Sequence, residues 1–283
     1  MKIVKNMNDK ISVYGSTGFI GSAFCNLFSK NVIRIPRNVR IPESKNILYL
    51  ISTTTNYNVF DDLQLDINTN LNLLMEVLSY CKENNIVFNY VSTGFVYGLD
   101  VIDAKEEDPC DPRGFYSITK RTAEHLLISF CETFGCKYRI FRLANVYGTD
   151  KTVSSKKNVL GFLINKLKED EDVHLYDGGK VLRDYMHVDD YCRAMMHLIN
   201  TSEVNQIYNI SSGEAYQFFE IIDTAKEFLN SKSKIIPIDT PEFYNKVQSK
   251  NFTLCTNKLN SLGFEKTISL KDGLKIMCSD EFV

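Results

Sequence analysis

The sequence predicts an α/β fold built on a doubly wound parallel sheet, and three observations carry this prediction. Short apolar runs alternate with amphipathic helical patterns through the first half of the chain, as they do when helices cover a parallel sheet. The stretch Lys10 to Phe24, KISVYGSTGFIGSAF, passes from a strand-like run through three glycines into a helical pattern. With 283 residues, the chain can also bury the large core that such a sheet needs.

This first stretch predicts a phosphate-binding turn. Gly15, Gly18 and Gly21 follow the apolar run Ile11 to Tyr14 at three-residue spacing. Gly15 permits a sharp exit from the strand, Gly18 lets main-chain N–H groups approach a pyrophosphate, and Gly21 lets the helix pack closely on the sheet. The helix N-terminus then favours an anion. A glycine-rich turn without a ligand is the alternative, but we expect a dinucleotide, held by Gly15, Thr17, Gly18, Phe19, Ile20 and Gly21.

Four further strands are predicted after the first. They are Val32 to Ile35, Ile47 to Ile51, Ile86 to Val91 and Tyr138 to Phe141. Apolar residues at helical spacing place one helix between the third and fourth strands and another before the fifth. From Thr149 to Asn158 the chain is polar, which predicts an exposed loop, a candidate for a mobile lid, that leads into a second, smaller region.

Composition restricts the class of function. The chain carries 33 basic and 35 acidic residues, so no bulk field favours nucleic acid or an anionic membrane. No run of about 18 apolar residues occurs and the first ten residues are too polar for a secretory signal, so we expect a soluble, cytoplasmic protein. The eight cysteines include no Cys-x-x-Cys pair and the four histidines no ligand-spaced cluster; we therefore expect reduced thiols and no metal.

The end of the second strand bears on the choice of cofactor. A carboxylate here would bind the adenosine ribose of NAD, whereas an arginine would accommodate the 2′-phosphate of NADP. The chain reads VIRIPRN, without an acid, and Arg34, Arg37 and Arg40 lie nearby. NADP is therefore slightly favoured over NAD, with Arg37 as the candidate contact, although a basic edge can also be solvated surface. Only about ten residues lead from Arg37 to the next strand, too few for a crossover helix.

A second group of polar residues occupies the segments VSTGFVYG and FYSITK. Thr93 follows the predicted fourth strand, at the carboxyl end where open α/β sheets bind ligands. Tyr116 and Lys120 are four residues apart, which places both on one face of a helix, about 6 Å apart along its axis. A free tyrosine has a pKa of about 10, so it is a poor base unless a cation stabilises its phenolate. Lys120, helped by an oxidised nicotinamide, is a candidate, although such a pair can be incidental.

Five motifs, in this order, resemble the extended short-chain dehydrogenase/reductase superfamily, in particular its NAD(P)-dependent nucleotide-sugar epimerases, dehydratases and reductases. The resemblance covers nearly the whole chain and implies a Rossmann-type sheet with a smaller C-terminal substrate-binding α/β region. The motifs are GSTGFIG at Gly15 to Gly21, STGFVYG at Ser92 to Gly98, YSITK at Tyr116 to Lys120, FRLANVYG at Phe141 to Gly148 and LRDYMHVDD at Leu182 to Asp190.

The resemblance implies roles for single residues. Thr93 would hydrogen-bond the reacting sugar hydroxyl or ketone, and Tyr116 would exchange a proton with it. Lys120 would bind the nicotinamide ribose and lower the pKa of the tyrosine. Asn145 and Arg183 match positions that contact the diphosphate of a nucleotide-sugar in relatives. His187, Asp189 and Asp190 are interpreted as a helix start with structural roles.

The resemblance also implies the organisation of the chain. Residues 1–148 plus 181–203 would form the NAD(P)-binding domain, and residues 149–180 plus 204–283 the nucleotide-sugar-binding domain. Relatives commonly dimerise by packing two helices from each subunit into a four-helix bundle. Here the helices would be Ile67 to Cys81 and Phe115 to Phe134, so we predict a homodimer.

Differences from the family pattern reduce the number of reactions that we expect for this chain. Sugar 4,6-dehydratases carry an Asp-Glu pair directly after the threonine, because loss of water needs its own acid and base; this chain has Gly94 and Phe95. GDP-fucose synthase-type enzymes have a cysteine where Phe95 stands. Dehydration and double epimerisation are therefore disfavoured, which leaves redox chemistry at one carbon, with C4 expected. A 4-epimerase with bound NAD⁺ and a 4-ketoreductase with NADPH both fit. A non-catalytic dinucleotide-binding sensor or structural protein is the alternative from another class.

Overall fold

The computed structural model describes residues 10–82, 85–149, 158–248 and 250–279. The strands are β1 (Ile11–Tyr14), β2 (Val32–Arg34), β3 (Asn46–Tyr49), β4 (Val87–Thr93), β5 (Val101–Ala104), β6 (Lys137–Leu143), β7 (Asn145–Tyr147), β8 (Val173–Tyr176), β9 (Leu182–Arg183), β10 (Tyr185–His187), β11 (Gln206–Ile210), β12 (Tyr216–Gln217), β13 (Ile235–Ile238) and β14 (Phe252–Leu254). The α-helices are α1 (Phe19–Leu27), α2 (Leu65–Ile67), α3 (Leu73–Ser79), α4 (Phe115–Phe134), α5 (Val159–Lys168), α6 (Val188–Thr201), α7 (Phe218–Leu229), α8 (Glu242–Val247), α9 (Asn257–Ser261) and α10 (Leu270–Cys278).

Six parallel strands form the central sheet in the order β11-β6-β4-β3-β1-β2. From β1 the chain moves outward to β2 and then crosses to β3 on the other side of β1, so the strand order reverses there. Open α/β sheets bind ligands at the carboxyl edge beside such a reversal. The predicted fold class is confirmed, and the five predicted strands are present with ends that differ by no more than two residues.

Helices cover both faces of the central sheet and bury two apolar cores. On one face, α1 and α6 pack with the sheet through residues such as Phe24, Phe141 and Leu198. On the other, α3 and α4 pack through residues such as Leu74 and Leu127. Because both faces are covered, the strands are mostly apolar on both sides, and Ser92 and Thr93 lie at the carboxyl end of β4.

The connection from β2 to β3, residues 35–45, contains no helix. Hydrogen bonds fasten it instead: Tyr14 Oη donates to the Arg40 carbonyl at 2.7 Å, and Ser12 Oγ accepts from Ser44 N at 2.9 Å. Arg40 Nε also pairs with Glu76 of α3 at 2.6 Å. The prediction that this crossover lacks a helix is confirmed.

The second region contains a four-stranded sheet, β12-β9-β14-β5, and the parallel pair β8 and β13. Helices α5, α7 and α10 enclose its core around Leu163, Ile222 and Leu274. Strand β11 pairs in parallel with β6 over five residues. The central sheet therefore extends beyond residue 203, because strand pairing outweighs proximity in the sequence. The predicted division into a cofactor-binding and a sugar-binding domain stays a proposal.

The helix predicted from Ile67 to Cys81 is interrupted. A π-helical turn, Asn68–Asn72, separates α2 from α3. The turn directs the buried Asn70 side chain inward, where its Nδ2 donates to Thr53 Oγ1 and to Thr119 Oγ1, both at 2.9 Å. Such turns are often found at functional sites.

Three findings bear on the predicted class of protein. None of the helices in the described ranges is both long and apolar enough to cross a membrane. Within the same ranges, no three His, Cys, Asp or Glu side chains are grouped as metal ligands. All eight cysteines carry free thiols. The predicted polar loop, Thr149 to Asn158, falls almost entirely outside the described residues.

Candidate active site

Glycines bring the start of α1 to the carboxyl end of β1. Gly15 has a φ of 78°, in the left-handed region that favours glycine. Gly21 lies directly on this turn, because a Cβ at Gly21 would be 2.1 Å from the Gly15 carbonyl oxygen. Gly18 N donates to the same oxygen at 3.1 Å. The turn and the helix therefore form one close-packed unit, as the three-residue spacing predicts.

The N-terminus of α1 fits the pyrophosphate of a dinucleotide. Its N-cap, Gly18, makes no side-chain cap, and the first turn contains no acidic residue. The first main-chain N–H groups of a helix lack intrahelical partners and carry partial positive charge. Thr17 and Gly18 are exposed, and Phe19 and Ile20 are partly exposed, so an anion can reach these N–H groups.

The three arginines at the end of β2 and after it have different surroundings. Arg34 donates to the Ser16 carbonyl at 3.1 Å and to Asn26 Oδ1 at 2.7 Å, so it braces the glycine turn. Arg40 is occupied by Glu76 and by the Arg37 carbonyl. The Arg37 side chain is exposed. Arg37 is therefore the arginine best placed to meet a ligand beside the adenosine end of the turn.

Helix α4 begins at an unusual junction. Its N-cap Gly114 has a φ of 80°, and a Cβ there would lie 2.5 Å from Asn56 Oδ1. That oxygen accepts from Tyr116 N at 3.2 Å, and Asn56 Nδ2 donates to the Val247 carbonyl at 3.1 Å. Asn56 thus ties the first turn of α4 to the second region. Sequence reasoning missed it, because its partner Val247 lies 191 residues away.

Tyr116 and Thr93 meet where β4 ends and α4 begins. The Thr93 hydroxyl accepts from Phe95 N at 3.3 Å, and it lies near enough to the Tyr116 phenol to affect its pKa. Burial raises the pKa of Tyr116 to about 12; the nearby Thr93 hydroxyl lowers it, and the charge of Asp66 raises it. The phenol therefore carries its proton at neutral pH in the protein alone.

Lys120 is buried one helical turn beyond Tyr116, with 2 % of its surface exposed. Its Nζ donates to the Val91 carbonyl at 2.6 Å and lies 4.2 Å from the centre of the Tyr90 ring. Burial lowers the pKa of Lys120 to about 7, and the charge of Glu124 acts in the opposite direction. The sequence predicts the Tyr116–Lys120 spacing, but the deep burial of Lys120 follows only from the packing of α4 on β4.

Glu124, one turn further along α4, is completely buried in a network that sequence reasoning missed. Ser92 Oγ donates to its Oε1 at 2.5 Å. Arg142 Nη2 and Arg121 Nη1 donate to its Oε2 at 2.8 and 2.6 Å. The four-residue spacing from Lys120 could have indicated Glu124, but its partner Arg142 comes from β6.

A second network missed by sequence reasoning supports the other side of α4. Asp66 is buried, its Oδ1 accepts from Asn58 Nδ2 at 3.2 Å and from Thr53 Oγ1, and its Oδ2 has no partner among the described residues. Asn70 connects Thr53 to Thr119, whose hydroxyl donates to the Tyr116 carbonyl at 3.0 Å. Isolated Asp and Asn residues in a helical pattern carry no clear signal in the sequence.

The two predicted diphosphate contacts lie at the edge between the two regions. Asn145 Nδ2 donates to the Asp184 carbonyl at 2.9 Å. Arg183 is buried; it donates to the Lys250 carbonyl and, at 3.3 Å, to Tyr244 Oη. Both side chains thus brace segments of the second region. The predicted helix start at His187 is present, since its Nδ1 accepts from Asp189 N at 3.2 Å at the N-cap of α6.

The fold therefore groups a hydroxyl, a phenol and an ammonium beside a turn suited to a pyrophosphate. The phenol of Tyr116 can exchange a proton with a substrate oxygen, Thr93 can hydrogen-bond that oxygen, and the charge of Lys120 can stabilise a phenolate. The arrangement suits proton transfer coupled to redox chemistry.

Comparison with known proteins identifies the family of this chain. The fold and the glycine turn define an α/β dinucleotide-binding protein of the Rossmann type. The sequence profile of the NAD dependent epimerase/dehydratase family matches residues 44–211, more than half of the chain and a span that includes Thr93, Tyr116 and Lys120. The chain belongs to this family.

Curated relatives carry out several reactions. The chain is similar to dTDP-4-dehydro-6-deoxyglucose reductase from Escherichia coli, with 27 % identity over 65 % of this chain and 57 % of the relative. It is also similar to dTDP-glucose 4,6-dehydratase from Actinoplanes sp., with 24 % identity over 66 % of this chain and 57 % of the relative. The chain thus spans about 57 % of the length of these relatives.

Solved structures share the fold over nearly the whole chain. RMD from Pseudomonas aeruginosa, complexed with NADPH, superposes with a TM-score of 0.84 at 21 % identity, covering 96 % of this chain and 98 % of RMD. UDP-glucuronic acid 4-epimerase from Bacillus cereus, in complex with UDP-glucuronic acid and NAD, gives 0.82 at 21 % identity, covering 95 % and 98 %. At such identities the likeness concerns the fold.

Proposed function

We propose that this protein is an NAD(P)-dependent nucleotide-sugar oxidoreductase or epimerase that acts by hydride transfer at a sugar carbon, with C4 expected. The observation that carries the proposal is the grouping of Thr93, Tyr116 and Lys120 at the junction of β4 and α4. Membership of the NAD dependent epimerase/dehydratase family supports it. Fold alone would not, since one fold hosts many functions.

Each residue has a distinct role in the proposed reaction. A bound nicotinamide supplies the hydride donor or acceptor. Tyr116 exchanges a proton with the sugar oxygen, and Thr93, whose hydroxyl lies near the phenol, orients that oxygen. Lys120 binds the nicotinamide ribose and stabilises the phenolate form of Tyr116 with its charge. The turn at Gly15, Gly18 and Gly21 holds the pyrophosphate.

Two reactions fit these residues, and they differ in the form of Tyr116 that starts them. A ketoreductase needs the phenol, which donates to the forming alkoxide, whereas a 4-epimerase begins by removing a hydroxyl proton and needs the phenolate. The pKa of the phenol, about 12, describes the protein alone; the positive charge of an oxidised nicotinamide would lower it. We place the 4-ketoreductase first because Arg37 is a candidate contact for the 2′-phosphate of NADPH. The structural likeness to UDP-glucuronic acid 4-epimerase keeps the 4-epimerase as the second candidate.

The residues that follow Thr93 pack closely against β14, and this packing disfavours 4,6-dehydration. A 4,6-dehydratase is nevertheless among the relatives. A Cβ at Gly94 would lie 2.6 Å from Phe252 Cζ and 3.0 Å from the Leu254 side chain. Phe95 packs on the Phe252 ring, with 4.7 Å between centroids. Strand β14 therefore fills the space that an acidic side chain at position 94 would need. We infer that the chain lacks the extra acid and base that loss of water requires.

For the substrate, we propose a nucleoside diphosphate sugar. A guanidinium such as that of Arg183 carries a planar array of donors that suits a diphosphate; in the protein alone it is buried and donates to the Lys250 carbonyl and to Tyr244 Oη. Asn145 is the first residue of β7. The complex of UDP-glucuronic acid 4-epimerase with UDP-glucuronic acid supports this class of substrate.

For the cofactor, we expect exchangeable NADPH rather than tightly held NAD⁺. The purified protein should release little dinucleotide on denaturation, and it should bind NADPH more tightly than NADH, because Arg37 can pair with the 2′-phosphate. Chromatography of the denatured supernatant and fluorescence titration measure the two quantities. Stoichiometric NAD⁺ in the supernatant would contradict this expectation and favour the 4-epimerase.

An alanine variant tests whether Arg37 is the residue that distinguishes NADPH from NADH. Arg37→Ala should weaken NADPH binding about tenfold and leave NADH binding unchanged, since only the charged pair with the phosphate is lost. The exposed Arg113, which pairs with Asp111 and lies outside β2 and the segment that follows it, offers the matched control Arg113→Ala. Equal weakening of both cofactors by Arg37→Ala would show that Arg37 does not recognise the 2′-phosphate.

We also propose a homodimer formed through α4 and the helical segment from Ile67, at the end of α2, to Cys81, just after α3. Large apolar side chains are exposed on this face, among them Ile67 at 43 %, Met75 at 36 %, Ile118 at 45 % and Leu126 at 38 %. Ile118 and Leu126 are two helical turns apart and share one face of α4. A second copy of the same face would cover them, and contiguous exposed apolar patches usually mark such interfaces.

The dimer is tested by mass. Light scattering at micromolar concentration should give twice 32.5 kDa for the wild type and a monomer mass for Ile118→Glu, because a buried unpaired charge opposes association. Phe219→Glu, at an apolar residue of α7 that is 38 % exposed, is the matched control and should remain dimeric. A monomeric wild type would count against the proposal.

A further inference from the structure

Three successive residues of β4 face three successive turns of α4. The Thr93 hydroxyl lies near the Tyr116 phenol, the Val91 carbonyl accepts from Lys120, and Ser92 donates to Glu124. Tyr116, Lys120 and Glu124 are spaced by four residues and therefore share one face of the helix. The first two belong to the proposed reaction. Glu124, which is as buried as Lys120, has no role in it so far.

We propose that Glu124 is a positioning residue for the reaction: its buried carboxylate, held by Ser92, Arg121 and Arg142 one helical turn beyond Lys120, keeps Lys120 in its charged form. This inference rests on the proposed function, in which the Lys120 ammonium stabilises the phenolate of Tyr116. The buried ion pair of Glu124 and Arg142 would then affect the acid–base chemistry of the site as well as the stability of the fold.

Glu124 is ionised despite its burial. Desolvation raises the pKa of its carboxyl, but hydrogen bonds and charge from Arg142, together with Ser92 and Arg121, outweigh it and hold the pKa below its ordinary value. The Arg142 guanidinium also stacks on Tyr97, with Cζ 4.7 Å from the ring centre. The negative charge is therefore fixed beside Lys120 by groups that cannot move away without leaving buried donors unpaired.

Lys120 needs such a neighbour. Burial alone lowers its pKa, which lies at about 7, and Glu124 is the charged group that raises it. The other ionisable side chains around this face are Tyr90 from β4, Tyr97 after β4, Cys110 before α4, Arg142 from β6, Asp66 from α2, and Tyr116 and Arg121 of α4. Burial raises the pKa of the Cys110 thiol, which is therefore neutral near pH 7. The two arginines oppose the charge on Lys120, and burial raises the pKa of the three phenols, which stay neutral near pH 7.

Removal of the Glu124 charge should lower the pKa of Lys120. Without the charge of Glu124, the pKa of Lys120 falls below its present value, and the neutral amine predominates at neutral pH. The ammonium is then lost at a lower pH, and so is the support it gives to the Tyr116 phenolate. The pH at which activity declines on the alkaline side, where it reports Lys120, should move downward.

The experiment measures Lys120 directly, without cofactor or substrate. The ¹³Cε resonance of Lys120 in lysine-labelled protein, assigned by its absence in Lys120→Met, is followed against pH. We expect the midpoint to fall by about one unit in Glu124→Gln, as a close opposite charge typically contributes, and to return most of the way in Glu124→Asp. Asp190→Asn is the matched control, because Asp190 is also fully buried and paired with an arginine, Arg193 at 2.8 Å.

Two outcomes would overturn the inference: an unchanged Lys120 midpoint in folded Glu124→Gln, or an equal shift in Asp190→Asn. Glu124→Gln leaves Arg142 buried without its partner, so circular dichroism must confirm the fold. Should it not fold, Arg121→Gln decides instead. Arg121 is partly exposed and competes for the Glu124 carboxylate, so its loss should raise the midpoint, and no change would refute the proposal. Because this titration needs no turnover, it is independent of whether the proposed reaction is correct.

Discussion

Replacement of Tyr116 with phenylalanine is expected to lower kcat by about 10²- to 10⁴-fold, the usual contribution of a positioned proton donor. The substitution removes one oxygen at the end of β4 and leaves Thr93 bonded to Phe95 N. The main-chain bond from residue 116 to Asn56 is also kept. Steady-state kinetics with a 4-keto nucleotide-sugar and NADPH, together with cofactor titration, measure the effect. NADPH binding should persist, since the pyrophosphate site is separate.

Tyr49→Phe is the matched control for this substitution. Tyr49 is buried in β3, and its hydroxyl has no partner among the described residues, so the loss of that oxygen should leave kcat unchanged. Full activity of Tyr116→Phe would contradict the proposed chemistry. Retained biological function of Tyr116→Phe, without any turnover by the wild type, would favour the non-catalytic dinucleotide-binding alternative.

Substitution of Gly21 with alanine should abolish dinucleotide binding and destabilise the protein. The added Cβ would lie 2.1 Å from the Gly15 carbonyl oxygen and 3.1 Å from Ser16 Cα. These are main-chain atoms, so α1 must move away from the turn. Overpacking of this kind typically costs about 1 to 3 kcal/mol, and the displaced N–H groups can no longer meet a pyrophosphate. Thermal unfolding and NADPH titration report the two effects.

Gly18→Ala separates binding from folding. A Cβ at Gly18 meets only the Gly15 oxygen, at an ordinary 3.4 Å, so the free energy of unfolding should change little. The methyl group would nevertheless occupy the surface that a pyrophosphate approaches. We therefore expect weaker NADPH binding in a protein of nearly normal stability. If Gly18→Ala binds NADPH as the wild type does, the pyrophosphate does not lie on this turn.

Local patterns in the sequence were sufficient for the central fold and for the reactive pair. The spacing of Gly15, Gly18 and Gly21 predicts a strand, turn and helix. Each glycine is needed for a backbone conformation or a close contact that involves only residues near it in the sequence. Tyr116 and Lys120 are predicted to share a face because helical geometry is itself local. The missing crossover helix before β3 follows from length alone.

Other features depend on contacts between distant parts of the chain. Strand β11 joins the central sheet by pairing with β6, and no pattern near residue 206 indicates which strand it will meet. The π-helical turn at Asn68–Asn72 forms because Asn70 finds Thr53 and Thr119 in the folded protein. Periodicity alone predicts an uninterrupted helix there.

The sequence by itself determined the class of fold, the glycine turn, and the identity of the residues proposed to carry the reaction. Only the tertiary structure decided their electrostatic state. Burial raises the pKa of Tyr116 and lowers that of Lys120. The packing of α4 on the sheet also pairs Glu124, one turn from Lys120, with Arg142 of β6. The reason is physical: spacing along a helix sets which side chains are neighbours, whereas desolvation and pairing depend on which strands pack against that helix.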